Sequence, residues 1–393
     1  MPDAFPPIIY VSNASWFYGL PTNRQQLPKW LAEHTRVLYS SPFSLSQAAT
    51  GRIKFDQYKT GIQNMAPNLY LFHNVQLLPL VRAQVQPFQR FDQWLTTRAL
   101  RRQAAALGFD KPILWMYFPP SFEHLIGQLG ESLTCYHCTD DHAGYAEMLG
   151  LDRQQVVQEE TRLVEAVDIV FTTSRPLYEQ KIRYNPHTYL MPNVADVDLF
   201  SPVASGAIAP APELAALPRP IVGFIGAIDS YKVNLNLLAE VARLLPTWNF
   251  VLIGPVGLGD HTQAHRLPDT PNLHFLGPRA YTSLPAFVAA FDICVIPYQI
   301  NSYTTGVFPL KFWEYLAAGK PVVTTPLPSL SDYYQYVHVA AEPSDFAEAL
   351  QRALASGKDA TAIQQRLTLA AGHSWKARAA EMVRVLASHL GTQ

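Results

Sequence analysis

The sequence predicts an α/β protein built from two Rossmann-like units, each with a parallel sheet, the two sheets facing a central cleft. Three observations carry this prediction. Short apolar runs rich in β-branched and aromatic residues alternate with helix-period patterns along the whole chain, as parallel sheets covered on both faces require. The 393 residues are too many for one ordinary core. An Ala/Pro-rich, sparsely charged stretch, "SPVASGAIAPAPELAALPRP" (201–220), divides the strand series in two. The expected domains are therefore 1–203, a linker over 204–220, 221–372, and a terminal helix over 373–393.

In chain order, the first half shows strand patterns at "PIIYVSN" (7–13), "RVLYSS" (36–41), "NLYLFH" (68–73), "ILWMYFP" (113–119), "LTCYHC" (133–138), "DIVFTT" (168–173) and "TYLMPN" (188–193). The second half continues with "IVGFIGA" (221–227), "NFVLIGP" (249–255), "LHFLGP" (273–278), "ICVIPY" (293–298), "PVVTT" (321–325) and "HVA" near 338. Helical patterns such as "NLNLLAEVARLLP" and "LPAFVAAF" lie between them. Prolines cluster at the joins, where they punctuate without breaking elements.

Composition excludes several classes. A net charge of −1 argues against a dedicated nucleic-acid binder. Three cysteines give no disulfide framework and point to a reducing compartment. The N-terminal stretch has neither a basic n-region nor a long apolar h-region, and no run is long enough for a membrane span, so a cytoplasmic location is expected.

Ligands of open parallel sheets bind beyond the carboxyl ends of the strands, so chemistry is sought there. In the second half, "FIGAIDSYK", "LIGPVGLG" and "FLGPRAY" leave strands through glycines, among them Gly226 and Gly254, that admit a close ligand. In "TTGVFPLKFWEY", Thr304, Thr305 and Gly306 are expected to lead into a helix whose first amides favour a phosphate. Lys311 would add a full charge, and Glu314, three residues on, suits sugar hydroxyls. A nucleotide with ribose and diphosphate side by side fits this set. A plain Lys311–Glu314 salt bridge on an exposed helix fits the same spacing.

In the first half, "CYHCTDDHAGY" puts Asp140 and Asp141 beyond a strand end. Either could take the proton of an attacking hydroxyl, or cap the following helix. Cys135 and Cys138 lack a second ligand pair at zinc spacing and read as buried thiols, so no metal is expected. Asn13, Trp16 and Arg24 follow the first strand and are candidate acceptor contacts, Trp16 as a sugar platform or as simple packing. Residues 81–109 carry five arginines against one aspartate, with Phe, Trp and Leu between them. This basic stretch could rest on an anionic membrane or form an ordinary surface helix.

The run "LHFLGPRAYTSLPAFVAAFDICVIPYQINSYTTGVFPLKFWEYLAAGKPVVTTPLP", with "GFIGAID" and "MPNVADVDLF", resembles the donor half of GT-B glycosyltransferases of family 4. The likeness is to the bacterial teichuronic acid glycosyltransferase group and, more distantly, to the xanthan glucuronosyltransferase. It implies that Glu314 holds the donor ribose, that the Arg279–Tyr281 stretch lies against the base, and that Asp140 is the catalytic aspartate. It also implies that the terminal helix crosses back toward the first domain. Two positions depart from the pattern. Gly306 stands where the family has a first glutamate, and Ala227 where it has an arginine, which leaves Lys232 as the nearby second cation.

The expected function is metal-independent, cofactor-free transfer of a sugar from a nucleotide-diphosphate donor, with UDP the expected carrier, to a hydroxyl of a glycan or lipid-linked acceptor. Retaining and inverting outcomes both stay open. A nucleotide-sugar epimerase would interconvert donor alone, and a non-catalytic relative would bind without turnover. A nicotinamide oxidoreductase would need a G-x-G-x-x-G turn that "YVSNASWFYG" does not supply.

Overall fold

The computed structural model describes residues 5–12, 16–17, 22–44, 61–76, 86–117, 122–148, 152–257 and 267–391. The apolar runs form two sheets. The first contains β1 (Ile8–Ser12), β2 (Val37–Ser44), β3 (Ile62–Ala66), β4 (Leu69–Gln76), β5 (Ile113–Tyr117), β6 (Leu133–Cys138), β7 (Ile169–Thr172) and β8 (Thr188–Leu190). Their spatial order is β3-β4-β2-β1-β5-β6-β7-β8. The second contains β9 (Ile221–Ile225), β10 (Asn249–Ile253), β11 (Leu273–Phe275), β12 (Ile293–Ile296), β13 (Val322–Thr324) and β14 (His338–Val339), ordered β11-β10-β9-β12-β13-β14. Every pairing is parallel except β3 with β4. Central strands β1, β5, β6, β9 and β10 are buried at every residue, which is why they read as unbroken apolar runs rather than alternating ones.

One strand is absent from the sequence reading. β3, "IQNMA", is a partly exposed antiparallel edge, so it tolerates the polar Gln63 and Asn64 and its apolar signal is weak.

The α-helices among the described residues are α1 (Asn23–Leu31), α2 (Gln86–Ala106), α3 (His142–Met148), α4 (Arg153–Ala166), α5 (Arg175–Lys181) and α6 (Val197–Phe200). After the second sheet begins come α7 (Leu235–Leu244), α8 (Leu284–Ala290), α9 (Lys311–Ala317), α10 (Pro343–Ser356), α11 (Ala360–Ala371) and α12 (Trp375–Leu390). Several start on side-chain caps: Asp152 on Gln154 N (2.8 Å), Asp196 on Leu199 N (3.2 Å) and Asn234 on Leu237 N (3.0 Å). These caps satisfy amides that the first turn leaves without partners.

The chain forms two compact units. One comprises residues 1–142, 152–192 and 375–393, and the other 143–151 and 193–374. The division differs from the expected one: residues 143–151 fall in the second unit, and so do the stretches after 192. Residues 193–203 join the second unit, because Phe200 and Val203 lie in its core. The expected linker 204–220 packs there too. Ala211 and Leu214 are buried, and Ala211 N donates to Ala286 O (2.9 Å). Ile208 and Leu217 pack there partly buried, while most of the other residues of the stretch are exposed. The terminal helix α12 belongs to the first unit and packs along α1.

Candidate active site

In the second unit, the exits of β9 and β10 lie against each other. Gly226 N donates to Ile253 O (2.9 Å), and Gly254 N donates to Gly277 O (3.0 Å). Both glycines have positive φ, 146° and 151°. A Cβ on Gly254 would lie 1.9 Å from Gly226 O, and one on Gly226 would lie 2.9 Å from Lys311 Nζ. Only glycine fits at either position, and the space above Gly226 is where the Lys311 ammonium sits.

Lys311 opens α9 and reaches back across the sheet end. Its Nζ donates to Tyr298 Oη (2.6 Å) and lies 4.9 Å from the ring centres of both Phe224 and Tyr298. Lys232 reaches the same ring, 5.3 Å from its centre, and lies 5.9 Å from that of Tyr303. Burial alone would push the Tyr298 phenol up. The charges and hydrogen bonds of Lys232 and Lys311 outweigh it and hold the phenol below its ordinary value.

Glu314 lies one turn along α9. It is 8% exposed and accepts from Tyr281 Oη (2.9 Å). Burial pushes its carboxyl up, against the Tyr281 hydrogen bond and the Lys311 charge, which pull it down. The Tyr281 phenol is pushed up by burial and then by the Glu314 charge, with Asp196 nearby. The exposed salt bridge that the spacing allowed does not form. Lys311 and Glu314 take separate phenols as partners, because almost all of α9 is buried and its side chains must satisfy themselves locally.

The loop before α9 differs from expectation. Thr304 to Gly306 form a separate 3₁₀ turn, and four residues intervene before the helix. Thr304 is fully buried, its hydroxyl donating to Gln299 O, while the Thr305 hydroxyl donates to Asn301 O (2.7 Å). The amides of Thr305, Gly306 and Val307 bond to Asn301, Tyr303 and Thr304 carbonyls at 3.1, 3.2 and 3.1 Å. Phe312 N and Trp313 N donate to Pro309 O (3.0 Å) and Leu310 O (3.1 Å). These amides and both threonine hydroxyls bond to the chain's own carbonyls, and the lysine side chains are the charged groups beside them.

Arg279 is engaged on the surface by Glu213, with Nη2 to Oε2 at 2.7 Å and Nε to Oε1 at 3.3 Å, and this holds the Glu213 carboxyl low. Its guanidinium is therefore occupied, while its neighbour Tyr281 reaches Glu314.

In the first unit, Asp140 and Asp141 stand half-buried between β6 and α3. Thr139 Oγ1 donates to Asp140 Oδ2 (3.3 Å), and Thr173 Oγ1 holds Thr139 O (2.9 Å). Asp141 directly precedes α3, the position of a cap. Beneath them lies a buried polar cluster. Lys181 pairs with Glu160 (2.8 Å), which also accepts from Tyr136 Oη (2.8 Å) and Cys138 Sγ (3.4 Å). Burial would raise Glu160, but Lys181 and His142 hold it low. Cys138, His142 and Glu160 have ligand atoms within 4.8 Å of one another, the one such trio among the described residues. The Lys181 ammonium already supplies the cation beside Glu160. All three cysteines are buried, and burial pushes their thiols up.

Trp16 packs edge-on against Tyr39, ring centres 4.8 Å apart, while its backbone N donates to Ser41 Oγ (3.0 Å). Arg24 lies close enough to Tyr39 and Tyr117 for its charge to act on both phenols. Asn13 lies outside the described residues.

Residues 219–356 match the family described as glycosyl transferases group 1. TuaH of Bacillus subtilis (strain 168), whose name places it among glycosyltransferases of teichuronic acid biosynthesis, is 30% identical over 289 residues, covering 69% of this chain and 70% of TuaH. The chain belongs to the group 1 glycosyltransferases. This glycosyltransferase has the GT-B fold. It is similar to the α,α-trehalose-phosphate synthase (UDP-forming) of Burkholderia vietnamiensis (TM-score 0.66, 13% identity, 99% of this chain and 100% of that one). It is also similar to HepE of Anabaena in complex with UDP-glucose (TM-score 0.68, 16% identity, 97% and 99%).

Of the residues the sequence singles out, Lys311, Lys232, Gly226 and Gly254 come together around the ends of β9, β10 and β12, and Tyr281 pairs with Glu314 on α9. Sequence reasoning missed Tyr298, on which both lysines converge. The available signal was an aromatic residue directly after the proline that ends a buried strand, in "ICVIPY". It also missed Asp196, which caps α6 and lies beside Tyr281 and Glu314.

Proposed function

We propose that this enzyme moves a sugar from a UDP-sugar to a hydroxyl of a glycan or lipid-linked acceptor, in bacterial polysaccharide or glycoconjugate synthesis. The observation that carries the donor reading is the placing of two ammonium groups, Lys311 and Lys232, beside the buried Glu314–Tyr281 pair at adjacent strand ends. The lysines would bind the diphosphate and stabilise the charge that develops as the sugar leaves. Glu314 would accept from ribose hydroxyls, and Gly226 would let the donor approach the backbone. The UDP-glucose complex of the structurally similar HepE supports uracil as the base, and the likeness to TuaH supports a polysaccharide pathway.

In the first unit, Asp140 is the proposed base for the acceptor hydroxyl, with Asp141 as the alternate. Trp16 and Arg24 remain proposed acceptor contacts. Lysines supply the charge that a divalent ion would otherwise bring, so transfer is proposed to run without metal or other cofactor.

No helix among the described residues is long and apolar enough to cross a membrane. The outward face of α2 supports a peripheral contact instead. Phe88, Phe91 and Trp94 are each just over half exposed, at 52, 53 and 54%, among the exposed Arg90, Arg98, Arg101 and Arg102. Asp92, the acidic residue of the helix, is buried. Aromatic rings within a basic face suit the boundary of an anionic bilayer.

Calorimetric titration with UDP, GDP, ADP and TDP, without divalent metal, tests the donor reading on the wild type and Glu314→Ala. Selective binding of UDP that the substitution weakens is expected. Binding of none of the four, or affinity unchanged by the substitution, would move the donor site elsewhere.

A further inference from the structure

The two lysines of the proposed donor site converge on one tyrosine. Tyr298 follows Pro297 at the end of β12 and is 1% exposed. Its backbone is fixed from two sides. Asn234 N donates to Pro297 O (2.7 Å), and Gln299 N donates to Lys232 O (2.9 Å), so the two segments run antiparallel with Val233 opposite Tyr298 and Lys232 next to it. Thr325 Oγ1 donates to Tyr298 O (2.7 Å) from the neighbouring strand end. The ring is thereby placed under both lysines and edge-on to Phe224, at 6.4 Å.

We infer that Tyr298 is a positioning residue for the donor diphosphate, holding the Lys311 and Lys232 ammonium groups side by side through its hydroxyl and ring. The inference rests on the donor reading given above and adds the device that makes it work. Two like charges repel, and long lysine side chains turned to water would lose their shared geometry. Tyr298 opposes this with a charge-assisted hydrogen bond to Lys311 and ring contacts to both. A carboxylate in its place would neutralise the pair and compete with the diphosphate. A phenol orients the cations without adding a carboxylate charge of its own.

The test is Tyr298→Phe, which keeps the ring and removes the oxygen, with Lys311→Ala as comparator. Binding of UDP and of uridine is measured by calorimetry, with thermal unfolding as a check on folding. Tyr298→Phe is expected to weaken UDP about tenfold, the worth of one hydrogen bond to a charged group, and to leave uridine unchanged. Equal losses for UDP and uridine would show a merely structural role and overturn the inference. So would unchanged UDP binding in Tyr298→Phe when Lys311→Ala weakens it. If Lys311→Ala also binds UDP normally, or the wild type binds no UDP, the donor reading itself fails and the inference with it. Should Tyr298→Phe not fold, the Lys232→Met and Lys311→Met single and double variants decide. Losses that combine without coupling would contradict a shared anchor.

Discussion

The two strand-end sites handle charge in opposite ways. Under Asp140 in the first unit, Lys181 and Glu160 neutralise each other at 2.8 Å, both largely out of water, with Tyr136 and Cys138 filling the remaining valences. In the second unit, Lys311 and Lys232 rest on a phenol and on aromatic rings instead. A closed ion pair fixes the shape of the loop above it and offers nothing to a ligand. A phenol and aromatic rings hold cations in place without adding a carboxylate of their own. One arrangement suits a support for a reacting carboxylate, and the other suits a diphosphate.

The comparison breaks first at Asp140. Asp140→Asn should lower kcat by about 10²–10⁴-fold while UDP affinity stays as in the wild type. Turnover near normal would move the base to Asp141 or elsewhere.

The next contrast is between two lysines. Lys181→Met leaves Glu160 buried without its cation and should destabilise the protein by about 3–5 kcal/mol in a denaturant titration. Lys311→Met should alter stability by no more than about 1 kcal/mol and weaken UDP roughly tenfold or more. If both substitutions cost the same stability, the distinction between a structural pair and a ligand site collapses.

A third test sits beside the first site. His137 is buried among Trp115, Tyr117 and Phe171, with neither ring nitrogen hydrogen-bonded among the described residues. Burial, helped by the Arg378 charge, pushes its imidazole down to about 3. A depressed folded pKa contributes stability above the ordinary value of about 6.5, lost as pH falls toward 3. His137→Phe should therefore flatten the acid limb of stability between those limits, an effect of a few kcal/mol at most. An unchanged limb would mean that another group controls it.

The smallest expected effect concerns α2. Wild-type protein should cosediment with phosphatidylglycerol vesicles and be released by salt. Replacing Arg98 and Arg102 with Gln should weaken binding by about 1 kcal/mol for each charge. Replacing Phe91 and Trp94 with Ser should weaken it further. Failure of the wild type to bind would end the membrane proposal.

The sequence by itself determined the fold class, because buried parallel strands must be apolar on both faces and therefore stand out as runs. It also pointed to the strand ends as the candidate ligand site, since glycines and charged residues crowd there. Edge strand β3 was hidden because exposure permits polar residues, and the packing of Ala211 and Leu214 because an Ala/Pro-rich stretch looks like linker until it finds a surface. Which partner each side chain takes was decided only by tertiary structure. Spacing set Lys311 and Glu314 against each other, but burial sent one to Tyr298 and the other to Tyr281. It likewise sent Lys181 to Glu160, 21 residues away in sequence, and closed the amides before α9 on their own carbonyls. The physical reason is that a buried polar group must be satisfied by whatever the fold brings within reach, and sequence distance does not measure that reach.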